Sequence, residues 1–111
     1  MGKTVNQLRI ENAIKHIDYA INDIKNVELS QFEKYSLVAR SVSFSVVQIG
    51  EMLTRLKEKI GNDHPEIEWD LARGMRNVLV HEYVEVDLER VYDTVKNDLP
   101  RLKVQLQSLL D

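Results

Sequence analysis

Between Gly74 and Tyr83 the chain reads Gly-Met-Arg-Asn-Val-Leu-Val-His-Glu-Tyr, with Arg76, Asn77, His81 and Tyr83 set around the apolar triplet Val78-Leu79-Val80. All four polar residue types can act on phosphate. An arginine stays charged and can hold two phosphate oxygens while negative charge builds. A histidine titrates near neutrality, so it can take the proton of a ribose 2′-OH or return one to a leaving 5′-oxygen. Asn77 can orient His81 or the phosphate. These groups suit metal-free RNA cleavage, in which the 2′-oxygen attacks phosphorus, the 5′-oxygen leaves, and a 2′,3′-cyclic phosphate remains. The same residues also suit a helix C-terminal cap with ion pairs, and Tyr83 taken alone is a half-buried packing residue. By residue type alone, that plainer use is the commoner one.

On a helix turning about 100° per residue, Asn77 and His81 share one face, and Arg76 and Tyr83 share another. Arg76 and His81 stand about 140° apart on that helix. They can line one cleft if the helix faces a groove, ends near His81, or meets its own copy across a two-fold axis. A two-fold would bring two Arg76 and two His81 into one cavity.

The elements that must hold this segment are helical. Ile10, Ala13, Ile14, Ile17, Ala20, Ile21, Ile24 and Val27 recur every three or four residues, which predicts an amphipathic helix over about 5–26. His16 falls off that stripe and is expected in solvent. Ser30 and Glu33 fit a capping box. A helix over about 31–60 should follow, with Leu37, Val38, Val42, Val46, Ile49, Leu53, Leu56 and Ile60 at helical spacing and Gly61-Asn62 as its stop. Phe44 and Val47 give this helix a second apolar face, which suggests an interface between copies. Gly50, in mid-helix, implies a close helix crossing, and Glu51 beside it could face a site. Trp69 should pack the Asn62–Pro65 loop onto the core, leaving His64 exposed. Asp70 is a candidate start for a third helix, about 70–82. Asp87 can cap a fourth, 88–97, burying Leu88, Val91, Tyr92 and Val95. Pro100 should break or kink the chain, and Asp98 can cap a last helix with Leu102, Leu106, Leu109 and Leu110 inward. The expected fold is all-α, an antiparallel bundle of four to five helices in one domain over 1–111.

Bulk properties narrow the function. With 15 basic and 18 acidic side chains the formal charge is −3, which argues against a general basic coat for nucleic acid, so any RNA site must be a local basic spot. The chain has no cysteine and only three histidines, His16, His64 and His81, which argues against a dedicated zinc site. No cofactor is called for. The first residues lack a signal-peptide apolar region, and no apolar run reaches transmembrane length. A cytoplasmic protein without a membrane partner is the expectation.

Pro65-Glu66-Ile67-x-Trp69, Gly74-Met75-Arg76-Asn77-x-x-Val80-His81-x-Tyr83 and Val86-Asp87 resemble the HepT-like branch of the HEPN superfamily. Ile49-Gly50-Glu51 upstream and Asp98-Leu99-Pro100-x-Leu102 downstream extend the likeness over roughly residues 8–110. The resemblance implies a dimeric helical bundle whose Arg/His motifs meet near the two-fold. It implies the toxin of a type VII-like toxin–antitoxin system, a metal-independent endoribonuclease with Arg76 and His81 catalytic and Asn77 supporting. Its antitoxin would be a small MntA-like nucleotidyltransferase that silences it by transferring AMP to Tyr83. A second reading from another class stays open: a non-catalytic helical subunit that helps a nucleotidyltransferase bind nucleotide or substrate. A plain dimerisation bundle is a third.

Overall fold

Thr4 fixes where the first helix begins. Its hydroxyl oxygen accepts from the Gln7 backbone N–H at 3.0 Å, and the Gln7 Oε1 accepts from the Thr4 N–H at 2.8 Å, a complete capping box that the sequence pattern had not singled out. Helix α1 (Val5–Ile24) then buries Ile10, Ala13, Ile17, Ala20 and Ile24, the expected stripe. Beyond it Asn26 takes φ 65°, a left-handed position that asparagine tolerates better than most residues. The computed structural model describes residues 2–34, 36–71, 74 and 87–111.

The expected 31–60 helix consists of two described stretches, α2 (Leu29–Lys34) and α3 (Ser36–Ile60). Ser30 lies inside α2 rather than at its cap. The cap bond runs instead from the Glu28 N–H to Gln31 Oε1 at 2.9 Å, because the helix opens one residue before Ser30. Phe32, fully buried, meets the Tyr92 ring at 5.4 Å.

Helix α3 packs along α1 and buries Val42, Val46, Ile49, Leu53 and Leu56. Its partners on α1 run in reverse order, with Ser41 donating to Asp23 at 2.7 Å and Phe44 against His16 further along, so the two are antiparallel. Leu37 and Phe44 stay 69% and 60% exposed. The second apolar face is therefore real, and Leu37 belongs to it rather than to the core. α3 stops before Gly61, as expected, but not through a left-handed turn, since no glycine has positive φ. A Cβ at Gly61 would collide with the Lys57 carbonyl oxygen that its own N–H bonds.

Trp69 is 5% exposed and donates its Nε1–H to the His64 carbonyl at 2.9 Å, so it pins the loop as expected. His64 is half-buried rather than exposed, with its ring 3.3 Å from Glu66. Of the expected third helix, Leu71 and Gly74 are helical; the rest of 72–86 lies outside the described residues.

Asp87 caps α4 (Leu88–Asp93) by accepting from the Arg90 N–H at 3.1 Å. No break follows. The chain continues through a π-helical turn (Thr94–Asp98) into α5 (Leu99–Ser108). Pro100 lacks an N–H and its ring would crowd the carbonyl four residues back. One wider turn, with the Leu99 N–H bonded to the Thr94 carbonyl, carries the helix past it. Asp98 makes no side-chain cap bond; it takes a 3.4 Å contact from Arg101 instead. Val91, Tyr92, Val95, Leu99, Leu102 and Leu106 line the core side of this composite helix. Tyr92 also donates to the Val27 carbonyl at 2.6 Å, tying α4 to the end of α1. All regular structure among the described residues is helical, and no described helix is long and apolar enough to cross a membrane.

Candidate functional site

Arg76, Asn77, His81 and Tyr83 lie outside the described residues, so what the structure supplies is the frame at either end of their segment. At the leading end, Ile67 and Trp69 are buried and Leu71 is half-buried. Lys57, from the last turn of α3, bonds both Asp70 oxygens at 3.0 Å. Glu68 is held from α5: Arg101 donates from Nε at 2.7 Å and from Nη2 at 2.9 Å, and Gln105 adds a bond at 2.9 Å. The Glu68 backbone N–H in turn donates to Gln105 Oε1 at 3.0 Å. The Arg101 hydrogen bonds hold the Glu68 carboxyl below its usual range, outweighing partial desolvation. A bidentate pair with a third partner fixes direction better than a lone surface pair, and at this exposed position it orients more than it stabilises.

At the trailing end Asp87 caps α4. The two ends converge there: Arg90 Nη2 stands 3.8 Å from the position a Cβ on Gly74 would take. Gly74 thus presents bare backbone to a guanidinium two residues before Arg76. Sequence reasoning missed Arg90, since nothing in residues 87–93 marks one charge above its neighbours. Leu71, Asp87, Glu89, Arg90, Asp93, Thr94 and Asp98 line a groove of about 460 Å³ at this junction. Among the described residues, four carboxylates face one guanidinium there, so this lining is electronegative.

Glu51 stands half-buried on α3 beside buried Gly50. The Thr54 hydroxyl donates to the Gly50 carbonyl at 2.9 Å, bracing the turn that carries Glu51. A buried glycine here agrees with the close crossing expected from sequence. His16, expected in solvent, is half-buried instead: its ring packs edge-on to Tyr19 at 5.5 Å and Phe44 at 6.0 Å, and its Nδ1 is buried without a hydrogen-bond partner. Burial, then the neighbouring Lys15 charge, pushes its pKa down.

A family model described as Ribonuclease HepT-like matches residues 10–109. Among curated relatives, "Probable ribonuclease HepT" of Thermococcus cleftensis is 32% identical over 85% of this chain and 94% of its own length. "Putative RNase TTE0752" of Caldanaerobacter subterraneus subsp. tengcongensis is 26% identical over 91% and 90%. "Putative RNase MJ1216" of Methanocaldococcus jannaschii is 28% identical over 87% and 80%. No solved structure matches.

Proposed function

This chain belongs to the HepT-like ribonuclease family, and from that membership we propose that it is the toxin of a two-gene system, a metal-independent endoribonuclease whose site is shared by two copies. The observation that carries the reading is the Arg76-Asn77-x-x-x-His81-x-Tyr83 motif inside the matched span. His81 manages the proton lost by the 2′-OH or gained by the 5′-oxygen. Arg76 holds the non-bridging oxygens as charge accumulates on phosphorus. Asn77 supports one or the other, and Glu51 on α3 is a candidate to support them in turn. The exposed Leu37 and Phe44 supply an apolar surface that a second copy can cover.

Silencing follows from the same geometry of sequence. A nucleotidyltransferase antitoxin transfers AMP to the Tyr83 oxygen, two residues from His81, with pyrophosphate leaving when ATP is the donor. The new phosphodiester is bulky and anionic, and it competes with RNA for Arg76.

The test is cleavage of an unstructured RNA by purified protein in EDTA, with end-group analysis. Wild type should leave 2′,3′-cyclic phosphate ends, and Arg76→Ala or His81→Ala should lose activity by a factor of about 10² or more while keeping the helical CD spectrum. Full activity in the double variant would overturn the assignment. Tyr83→Phe should cut RNA as wild type does but resist silencing on co-expression with the antitoxin; a silenced Tyr83→Phe would remove tyrosine modification from the scheme.

A further inference from the structure

An acidic chain that acts on RNA needs a place where the strand meets positive charge, and among the described residues the groove beside Gly74 does not offer one. A second groove does. It is a groove of about 560 Å³ between the end of α1 and the π-helical turn. Ile21, half-buried, lines one wall, and the nearly buried Ile24, Tyr92 and Val95 form the floor. The Tyr92 hydroxyl is already spent on the Val27 carbonyl at 2.6 Å, so the ring is fixed rather than free to turn away. Lys25 and Lys96 stand at the rim, with Lys96 Nζ 5.7 Å from the Tyr92 ring centroid.

Charge separates this groove from the others. Lys3, Lys57, Arg101 and Lys103 are neutralised by Glu11, Asp70, Glu68 and Asp18. Neither Lys25 nor Lys96 is in an ion pair among the described residues, and Glu28 is the one carboxylate lining the groove. The groove is therefore locally basic over an apolar floor. That combination fits a single unpaired nucleotide: the base lies along Ile21 and the apolar floor, and its phosphates meet the two ammonium groups. A duplex, whose bases are stacked inside, would leave the apolar floor uncovered. Arg90 and Tyr92 are two residues apart on α4 and so point to opposite sides of it. The groove thus lies across α4 from Gly74.

We propose that this groove is a subsite for one nucleotide of single-stranded RNA away from the scissile bond. It rests on the ribonuclease reading for the identity of the ligand. The π-helical turn, which Pro100 already accounts for, places Val95 and Lys96 on the groove wall.

The probe is a fluorescein-labelled, 2′-O-methylated oligouridine carrying 4-thiouridine, which binds but cannot be cut. Its affinity for the full-length protein is measured by anisotropy across a salt series, and photocrosslinks are mapped by mass spectrometry. Unmodified RNA is tested for cleavage in parallel. Lys25→Glu/Lys96→Glu should bind at least tenfold more weakly than wild type at low salt, with a log–log salt slope shallower by about 1.4. Lys3→Glu/Lys59→Glu, the same change in net charge elsewhere, should change neither by more than twofold. The crosslink should fall on the groove's lining residues, within 21–28 or 92–96. If wild type cuts RNA and the two double variants bind alike, the subsite is wrong and the nuclease stands. If the subsite signature appears without cleavage, the nuclease is wrong and the subsite stands. A slope change without a groove crosslink reduces the lysines to general attraction and overturns the subsite, as does a wild type that binds no RNA.

Discussion

His16 is a residue whose environment reverses its sequence expectation. It lies off the main apolar stripe of α1, yet Phe44 from α3 and Tyr19 close around it. A single-helix stripe cannot anticipate a neighbour's side chain, so its burial was not legible. The consequence is a pH dependence. Its pKa is lowered in the folded chain, by burial first and by Lys15 second, so the unfolded chain binds the proton better. Stability should be unaffected above the ordinary histidine value of about 6.5, and should fall as pH drops from there through the lowered folded value. Glu68 acts in a separate window: its depressed pKa contributes stability that is lost only as pH falls below its ordinary value of 4.5. Urea unfolding of wild type and His16→Leu at pH 7.5 and 5.5 isolates the histidine. The variant should lose less stability on acidification, and equal losses would refute the assignment.

At the scale of elements, periodicity was a good guide wherever one helix packs on another. The buried positions of α1, the inner face of α3 and the Leu102–Leu106 pair all follow from three- and four-residue spacing. Boundaries were harder because several residues compete for each cap. Gln31 rather than Ser30 makes the α2 cap bond, and Asp98 is drawn to Arg101. Pro100 read as a break because a proline in an ordinary α-helix is one; a wider turn that absorbs it leaves no mark in residue type. Gly61 was read correctly as a stop, although for a reason the sequence does not carry, since its φ is ordinary and its need is space. Because the obstructing atom is Lys57 backbone, the neighbour cannot swing aside. Gly61→Ala should therefore destabilise the chain by ~1–3 kcal/mol, read as a drop in the urea midpoint. An unchanged or higher midpoint would show that the α3 terminus relaxes freely.

At the scale of the whole molecule, the open issue is whether catalysis belongs to one chain or two. The candidate catalytic pair was legible as chemistry from residue types, and helix spacing already made a tight Arg76–His81 pairing within one helix unattractive. Its three-dimensional placement was not, because spacing along one helix says nothing about a second copy. The exposed Leu37 and Phe44 on α3 favour two copies, and a shared cleft has a signature that a self-contained site lacks. Arg76→Ala and His81→Ala, each inactive alone, are unfolded together and refolded so that protomers exchange. If each site takes its arginine from one copy and its histidine from the other, every mixed dimer holds one complete site and one empty one. Random pairing makes half the dimers mixed, so activity should return to roughly a quarter of wild type under two-fold symmetry. A site built within one chain would regain nothing on mixing. Phe44→Glu on both chains should abolish the rescue by preventing pairing, while the helical CD spectrum is kept. Rescue that survives Phe44→Glu would leave the shared site in place but move the pairing surface away from this face of α3.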